Sequence, residues 1–408
     1  MTEVRRLIDR AEREMAEAFA EADRIEELRA RQALDAFRRH GVSYRHFAPT
    51  TGYGYDDIGR DTLESLFADL FHAEAALLRP QIASGTAALA LTLTALTRSG
   101  ERILSATGMP YDTLRTVLGL GREPAAGSLS ERGVAFDCVE LKDGKIDIEA
   151  VERAITDRTT LVIAQRSRGY SLRPALMPEA FGALAEMIHA RHPSVMLMVD
   201  NCYGEFVCAD EPTDRGADVC VGSLIKNPGG GIAPTGGYVV GKTEAVERIA
   251  ALLTAPGLGR EIGSYAGDYR PYYQGLFMAP HTVAQARKTA LLAARTAELL
   301  GIKAVPSSAE PRADIVQVLC MDDADRLVKF CEGIQAASPV DSMAVPEPAP
   351  MPGYDDKIVM AAGTFVAGAS IELSADAPLR PPYAVYLQGA LTYAHGKTAL
   401  EEAFGRII

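Results

Sequence analysis

No stretch of this chain approaches the roughly 20 consecutive apolar residues that cross a bilayer. The N-terminus, Met1-Thr2-Glu3-Val4-Arg5-Arg6, leads into a charged helical pattern and not into an apolar signal segment. Both absences point to a cytoplasmic protein. Cysteine is sparse: six residues (Cys138, Cys202, Cys208, Cys220, Cys320 and Cys331), with no CxxC spacing. That argues against a disulfide framework and against a cysteine-bound metal. The seven histidines do not cluster; His189 and His192, three apart near a helix end, read as solvated. Basic residues are outnumbered, 42 to 54, for a net charge of −12. Nucleic acid and anionic membranes are therefore poor candidates as partners. Neither a Walker A loop nor a GxGxxG fingerprint occurs, so nucleoside triphosphates and dinucleotides lose support as well.

What is present is a soluble globular balance, 48% apolar and 24% charged, over 408 residues, too long for one small core. Residues 3–40 place Leu7, Ala11, Met15, Phe19, Ile25, Leu28, Leu34 and Phe37 at helical spacing, with a possible single break. This segment either packs on its own body or reaches across a subunit partner. Beyond it, short apolar runs alternate with helical stretches. Thr160-Leu161-Val162-Ile163-Ala164 and Val195–Val199 are nearly continuous in apolar residues, as strands buried on both faces of a mostly parallel sheet are. His281 to Leu300 reads as a long linking helix. After it, Ile315–Met321, Ala324–Ala337, Ser370–Glu372 and Tyr383–His395 suggest a smaller α+β domain, with Pro339–Pro352 as a loop. The expected division is an N-terminal helical arm (1–40), a large domain (41–290) and a small domain (291–408).

Three segments carry chemistry in a particular order. Ala83-Ser84-Gly85-Thr86 opens an alanine-rich helix, and a helix start offers free N–H groups, hydroxyls and a dipole to an anion. Asp200 ends an apolar strand, where open α/β sheets place their ligand sites. Lys226 follows in Gly222-Ser223-Leu224-Ile225-Lys226-Asn227-Pro228, with Gly229-Gly230-Gly231 after it. A pyridoxal 5'-phosphate (PLP) enzyme needs this set: a lysine for the Schiff base, a carboxylate for the pyridinium nitrogen, and a phosphate cradle. Taken singly, Lys226 reads as a solvated lysine, and Asp200 and Ser84 as helix caps. Together they favour the cofactor. A Schiff-base lysine must lose its proton near neutral pH, which a partly buried cationic site would favour. Tyr111, in Met109-Pro110-Tyr111-Asp112, is placed either to stack on a cofactor ring or to pack in a loop. Cys202, two residues beyond Asp200, reads better as a small buried residue than as a reactive thiol.

The order Tyr55, Ser84-Gly85-Thr86, Tyr111, Asp200 and Ser223-Leu224-Ile225-Lys226 resembles fold-type-I PLP enzymes of cysteine and methionine metabolism. The branch most similar is the methionine γ-lyase and cystathionine β-lyase relatives known as aluminium-resistance proteins. Tyr53-Gly54-Tyr55-Asp56-Asp57-Ile58-Gly59-Arg60-Asp61, Gln165-Arg166-Ser167-Arg168-Gly169-Tyr170 and Ser370-Ile371-Glu372-Leu373-Ser374-Ala375-Asp376 carry that likeness, which spans residues 35–400. The resemblance implies an aspartate-aminotransferase-like fold: a mostly parallel seven-stranded sheet with helices on both faces, plus a smaller C-terminal α+β domain. It implies Lys226 as the Schiff-base lysine, Asp200 as the pyridinium partner, and Tyr111 stacked on the ring and helping proton transfer. Ser84, Gly85, Thr86 and Ser223 would hold the phosphate. Tyr55 would reach the site of a neighbouring subunit in a homodimer or homotetramer. In the wider family an arginine follows two residues after this tyrosine; here Asp57 stands there, and Arg60 is the candidate to replace it. A substrate carboxylate calls for an arginine, with Arg380 first and Arg168 and Arg173 as competitors. The implied activity is carbon–sulfur bond cleavage in a sulfur amino acid. Other PLP chemistry (transamination, γ-replacement, aldol cleavage) and a non-catalytic PLP-binding protein are the alternatives. No cluster of acidic ligands suggests an aluminium site.

Overall fold

The structure, a computed structural model, describes residues 3–121, 123–351, 354 and 356–408. Met1, Thr2 and Pro352, assigned above to the arm and the proline loop, lie outside the described residues. The larger body is built on seven strands: β1 (Ala75–Arg79), β2 (Arg102–Ser105), β3 (Ala135–Cys138), β4 (Thr159–Gln165), β5 (Met196–Asp200), β6 (Val219–Ser223) and β7 (Gly237–Gly241). Their spatial order is β1-β7-β6-β5-β4-β2-β3. Only β7 runs against its neighbours β1 and β6; the other pairs are parallel. The apolar runs explain the two-sided burial. Leu161 and Ile163 of β4 and Met198 of β5 enter the core on one face of the sheet. Val162, Ala164, Leu197 and Val199 enter the core on the other.

The smaller body is a six-stranded antiparallel sheet: β8 (Lys303–Val305), β9 (Gln317–Cys320), β10 (Ala349–Pro350), β11 (Lys357–Ala361), β12 (Ser374–Pro378) and β13 (Ala384–Gln388), in the order β10-β11-β12-β13-β9-β8. Helix Ala324–Ala336 packs on it, and helix Tyr393–Gly405 packs on that helix, with Phe330, Ile334, Leu400 and Phe404 in one shared core.

Three expectations about elements change. The segment Ser370–Glu372, counted above among the small-domain elements, precedes the strand, which begins at Ser374. Glu372 lies in the turn before it, where its carboxylate accepts the N–H groups of Phe365 and Val366, both at 2.9 Å. The stretch Tyr383–His395 splits into β13 and a helix capped by Thr392. The long helix runs over Arg270–Leu299, straight through Pro280. Proline normally ends such a pattern. Here Tyr272, Tyr273 and Leu276 of the first turns are buried in the large core, and the Tyr273 hydroxyl donates to the Gly59 carbonyl at 2.7 Å. That packing outweighs the one hydrogen bond the proline cannot make. Farther along the same helix, Leu292, Ala293, Ala294 and Ala297 belong to the core of the smaller body.

The N-terminal segment breaks once, into helices Glu3–Glu14 and Ala16–Arg39. The first sends Val4, Ile8 and Ala11 into the smaller core, and Lys397 bridges its Asp9 (2.9 Å) and Glu12 (2.6 Å). The second carries a fully buried Arg29, whose Nε donates to the Cys208 carbonyl at 2.8 Å. Among the described residues no helix is long and apolar enough to cross a membrane.

Candidate active site

Strands β4, β5 and β6 end side by side on Gln165, Asp200 and Ser223, with Gln165 in register with Asp200. Helix Gly85–Leu96 starts at the same edge, because Gly85 packs directly on β6: a Cβ built on it would lie 3.1 Å from that of Ser223. Ser84 caps this helix, its Oγ accepting the Ala87 N–H at 3.0 Å. Between the strand ends and the helix lies a cavity of about 290 Å³. Ser84, Gly85, Thr86, Tyr111, Asp200, Ser223 and Lys226 all line it. Seven positions dispersed from residue 84 to residue 226 thus meet at one place.

Asp200 is buried, and its Oδ1 accepts the Cys202 N–H at 3.1 Å. Burial raises its pKa above the ordinary carboxylate value, with Lys226 nearby pulling the other way. Tyr111 precedes helix Asp112–Leu118; burial first, then the charge of Asp200, pushes its hydroxyl well up. Cys202 lines the cavity too. Its thiol is driven well up by burial and by Asp200, which is the state of an unreactive thiol. Lys226 has no carboxylate within ion-pair distance among the described residues. Its Nζ sits over the ring of Tyr203, 3.8 Å from the centroid. Burial works against its charge, yet Cys202, Tyr203, Asp200 and Tyr111 around it outweigh that and hold the pKa well above the usual lysine value. The expected cationic surroundings are therefore absent. No arginine lines the cavity among the described residues, and the lysine faces a carboxylate, phenols and a thiol.

The remaining candidates lie elsewhere. Tyr55 is 57% exposed, outside the cavity, with its ring against Tyr53. Asp57 caps helix Ile58–Leu70, accepting the Arg60 N–H at 3.0 Å and the Tyr269 hydroxyl at 2.8 Å. Arg60 is buried and spent locally, on the Gly54 carbonyl (2.9 Å) and Asp61 (2.7 Å). It braces the Tyr55 loop from within its own chain. Arg168 is buried between the lining residues Ser167 and Gly169 but does not itself line the cavity. Arg173 donates to the Gln165 carbonyl at 3.0 Å and to that of Ser167; burial lowers its pKa to about 10. Arg380 pairs with Asp356 at 2.6 Å, in a separate pocket of about 50 Å³ that shares Tyr170 and Tyr354 with the main cavity.

Tyr170, Tyr203 and Tyr354, none of them an expected site residue, complete the cavity wall. Tyr203, three residues past the strand-end Asp200, carried the one usable signal. Beneath this wall lies a buried network. Glu211 accepts Arg29 Nη2 (2.9 Å) and the Phe206 N–H (2.8 Å) on Oε1, and Arg166 Nη1 (3.0 Å) and Asn201 Nδ2 (3.1 Å) on Oε2.

The donor set fits PLP. An unpaired lysine and a buried carboxylate stand in one cavity with the first-turn N–H groups of a helix at Gly85 and Thr86 and the Ser223 hydroxyl. The sheet, its second antiparallel body and this site define the architecture of fold-type-I PLP enzymes, shared with the PLP-dependent protein YhfS of Escherichia coli (20% identity, TM-score 0.61, 95% of this chain and 97% of that one). More specifically, residues 4–408 match the methionine gamma-lyase family model, and the chain belongs to that family. It is 47% identical over 390 residues to the uncharacterized protein YnbB of Bacillus subtilis, covering 95% of this chain and 93% of that protein. It is also 44% identical to a carbon-sulfur lyase involved in aluminum resistance from Clostridium novyi, with a TM-score of 0.95 over 99% of this chain and 96% of that one.

Proposed function

We propose that this protein is a PLP-dependent carbon–sulfur lyase acting on a sulfur-containing amino acid, by elimination of the methionine γ-lyase or cystathionine β-lyase type. The observation that carries the reading is the meeting of Lys226, Asp200, Tyr111, Ser223 and the Gly85–Thr86 helix start in one cavity. Bound PLP would supply an electron sink for the substrate's α-carbon. Lys226 would bond the cofactor and, once its amine is free, take the α-proton on Nζ. Asp200 would face the ring nitrogen and keep a proton there. Tyr111 would lie against the ring and pass a proton toward the leaving sulfur. Gly85 and Thr86 N–H groups, with the Thr86 and Ser223 hydroxyls, would hold the phosphate. The products are a thiol, ammonia and a 2-oxo acid. The named carbon–sulfur lyase among the relatives supports the choice of leaving group.

We also propose a homodimer or homotetramer in which the Tyr55 segment meets a second copy. Tyr44, Tyr53, Tyr55 and Ile58 are exposed together in this stretch, an unusual concentration of uncovered apolar surface.

The test is an absorbance spectrum and a product assay on the purified protein. The wild type should be yellow and release thiol, ammonia and 2-oxo acid from L-methionine or L-cystathionine; Lys226→Ala should lose both colour and turnover. A colourless protein that added PLP leaves unchanged would overturn the reading.

A further inference from the structure

Tyr203 has a backbone φ of +71°. That is the left-handed region, which a bulky side chain enters only under constraint, and such strain collects at functional sites. The constraint is visible. Gly204, the next residue, lies flat against the Arg166 guanidinium: a Cβ there would stand 2.5 Å from Nε. Arg166 is itself held by Asn201 Oδ1 (2.8 Å) and by Glu211. Phe206, also at positive φ (62°), is tied to Glu211 through its N–H. The Tyr203 carbonyl accepts the Ile315 N–H at 3.2 Å. The turn is thus clamped on both sides of Tyr203, and the outcome is a ring face under Lys226 Nζ at 3.8 Å.

We propose that Tyr203 is a further catalytic residue: its ring is the platform on which the Lys226 amine rests, held apart from Asp200. The inference rests on the reading of Lys226 as the PLP lysine. Without the ring, the one carboxylate lining the cavity among the described residues that could draw the ammonium in is Asp200. Closure of that pair would withdraw both the amine and the ring-nitrogen partner at once. A ring face holds the ammonium in place without pairing it to a counter-charge, so its proton can still leave and expose the nitrogen lone pair. The amine therefore stays in the cavity and stays available.

The test follows PLP capture by the full-length protein. PLP bonds an amine with loss of one water, and borohydride reduces that bond to a stable secondary amine. The pyridoxyl label on the Lys226 peptide is then quantified against time by mass spectrometry. Tyr203→Phe, which keeps the ring, should label at the wild-type rate. Two ring-less variants guard against a folding artefact: Tyr203→Asn, since asparagine tolerates positive φ, and Tyr203→Leu, which retains apolar bulk. Both should label Lys226 at least about tenfold more slowly, with melting curves recorded alongside. Wild-type rates in both ring-less variants, or an equal loss in Tyr203→Phe, would overturn the proposal while leaving the lyase reading intact. Absence of label on Lys226 in the wild type would overturn the cofactor reading, and this proposal with it.

Discussion

Glu211→Ala should destabilise the protein more than almost any other single carboxylate removal, because of what it leaves behind. Glu211 is fully buried and accepts four hydrogen bonds, two from guanidinium groups and two from the Phe206 N–H and Asn201 amide. Arg29 and Arg166 are as deeply buried as Glu211. Alanine would strand both cations where water cannot reach them. Breaking one buried pair costs about 3–5 kcal/mol, and two cations here share one anion, so the upper part of that range is expected. With an unfolding entropy of roughly 2.1 cal/mol/K per residue, a chain of this length melting as one unit would lose about 4–6 °C. Glu211→Gln keeps the shape and one acceptor and should lose less. The damage should also reach the site: Arg166 adjoins Ser167, Asn201 adjoins Asp200, and both neighbours line the cavity. Differential scanning fluorimetry with and without PLP, together with a PLP titration, reads both effects. A Glu211→Ala protein that melts within about 1 °C of wild type and binds PLP equally well would refute the reasoning.

Two further outcomes are expected. Asp200→Asn should keep PLP yet lose most exchange of the substrate α-hydrogen with deuterium, since a neutral amide cannot hold the proton on the ring nitrogen; wild-type exchange in the variant would mean the pairing is misassigned. Mixing Tyr55→Ala chains with Lys226→Ala chains should restore part of the activity through hybrid sites, while a fully active monomer by light scattering would exclude shared sites.

Asp200 was legible because β5 closes an apolar run on a carboxylate, which placed it at a strand end before any geometry was known. Ser84 was legible as a helix start for the same local reason. The Tyr203 platform was not. Its positive φ depends on Arg166, Glu211 and Arg29, which no local pattern connects, and nothing near residue 203 announces a guanidinium packed on Gly204. Arg380 pairs with Asp356, 24 positions away, a partner that no local pattern announces. Pro280 hid the first third of the long helix because the burial that overrides it, at Tyr272 and Tyr273, is tertiary.

The smaller core joins Val4 and Ile8 to Leu400 and Phe404, so its two ends in the chain are almost as far apart as the polypeptide allows. During synthesis on a ribosome the large sheet can close once its seventh strand and the long helix have emerged. The first helix can then cover only the long helix, and its other partner is missing until the last helix is made. For that interval an amphipathic segment waits with part of its apolar stripe open to water, a state that favours holding chaperones and disfavours early release. Circular permutants that place the two terminal helices in one continuous stretch should shorten this wait. Truncations that remove only the last helix should leave a folded large sheet with a loosened N-terminus, since one of the two helices that anchor it is gone.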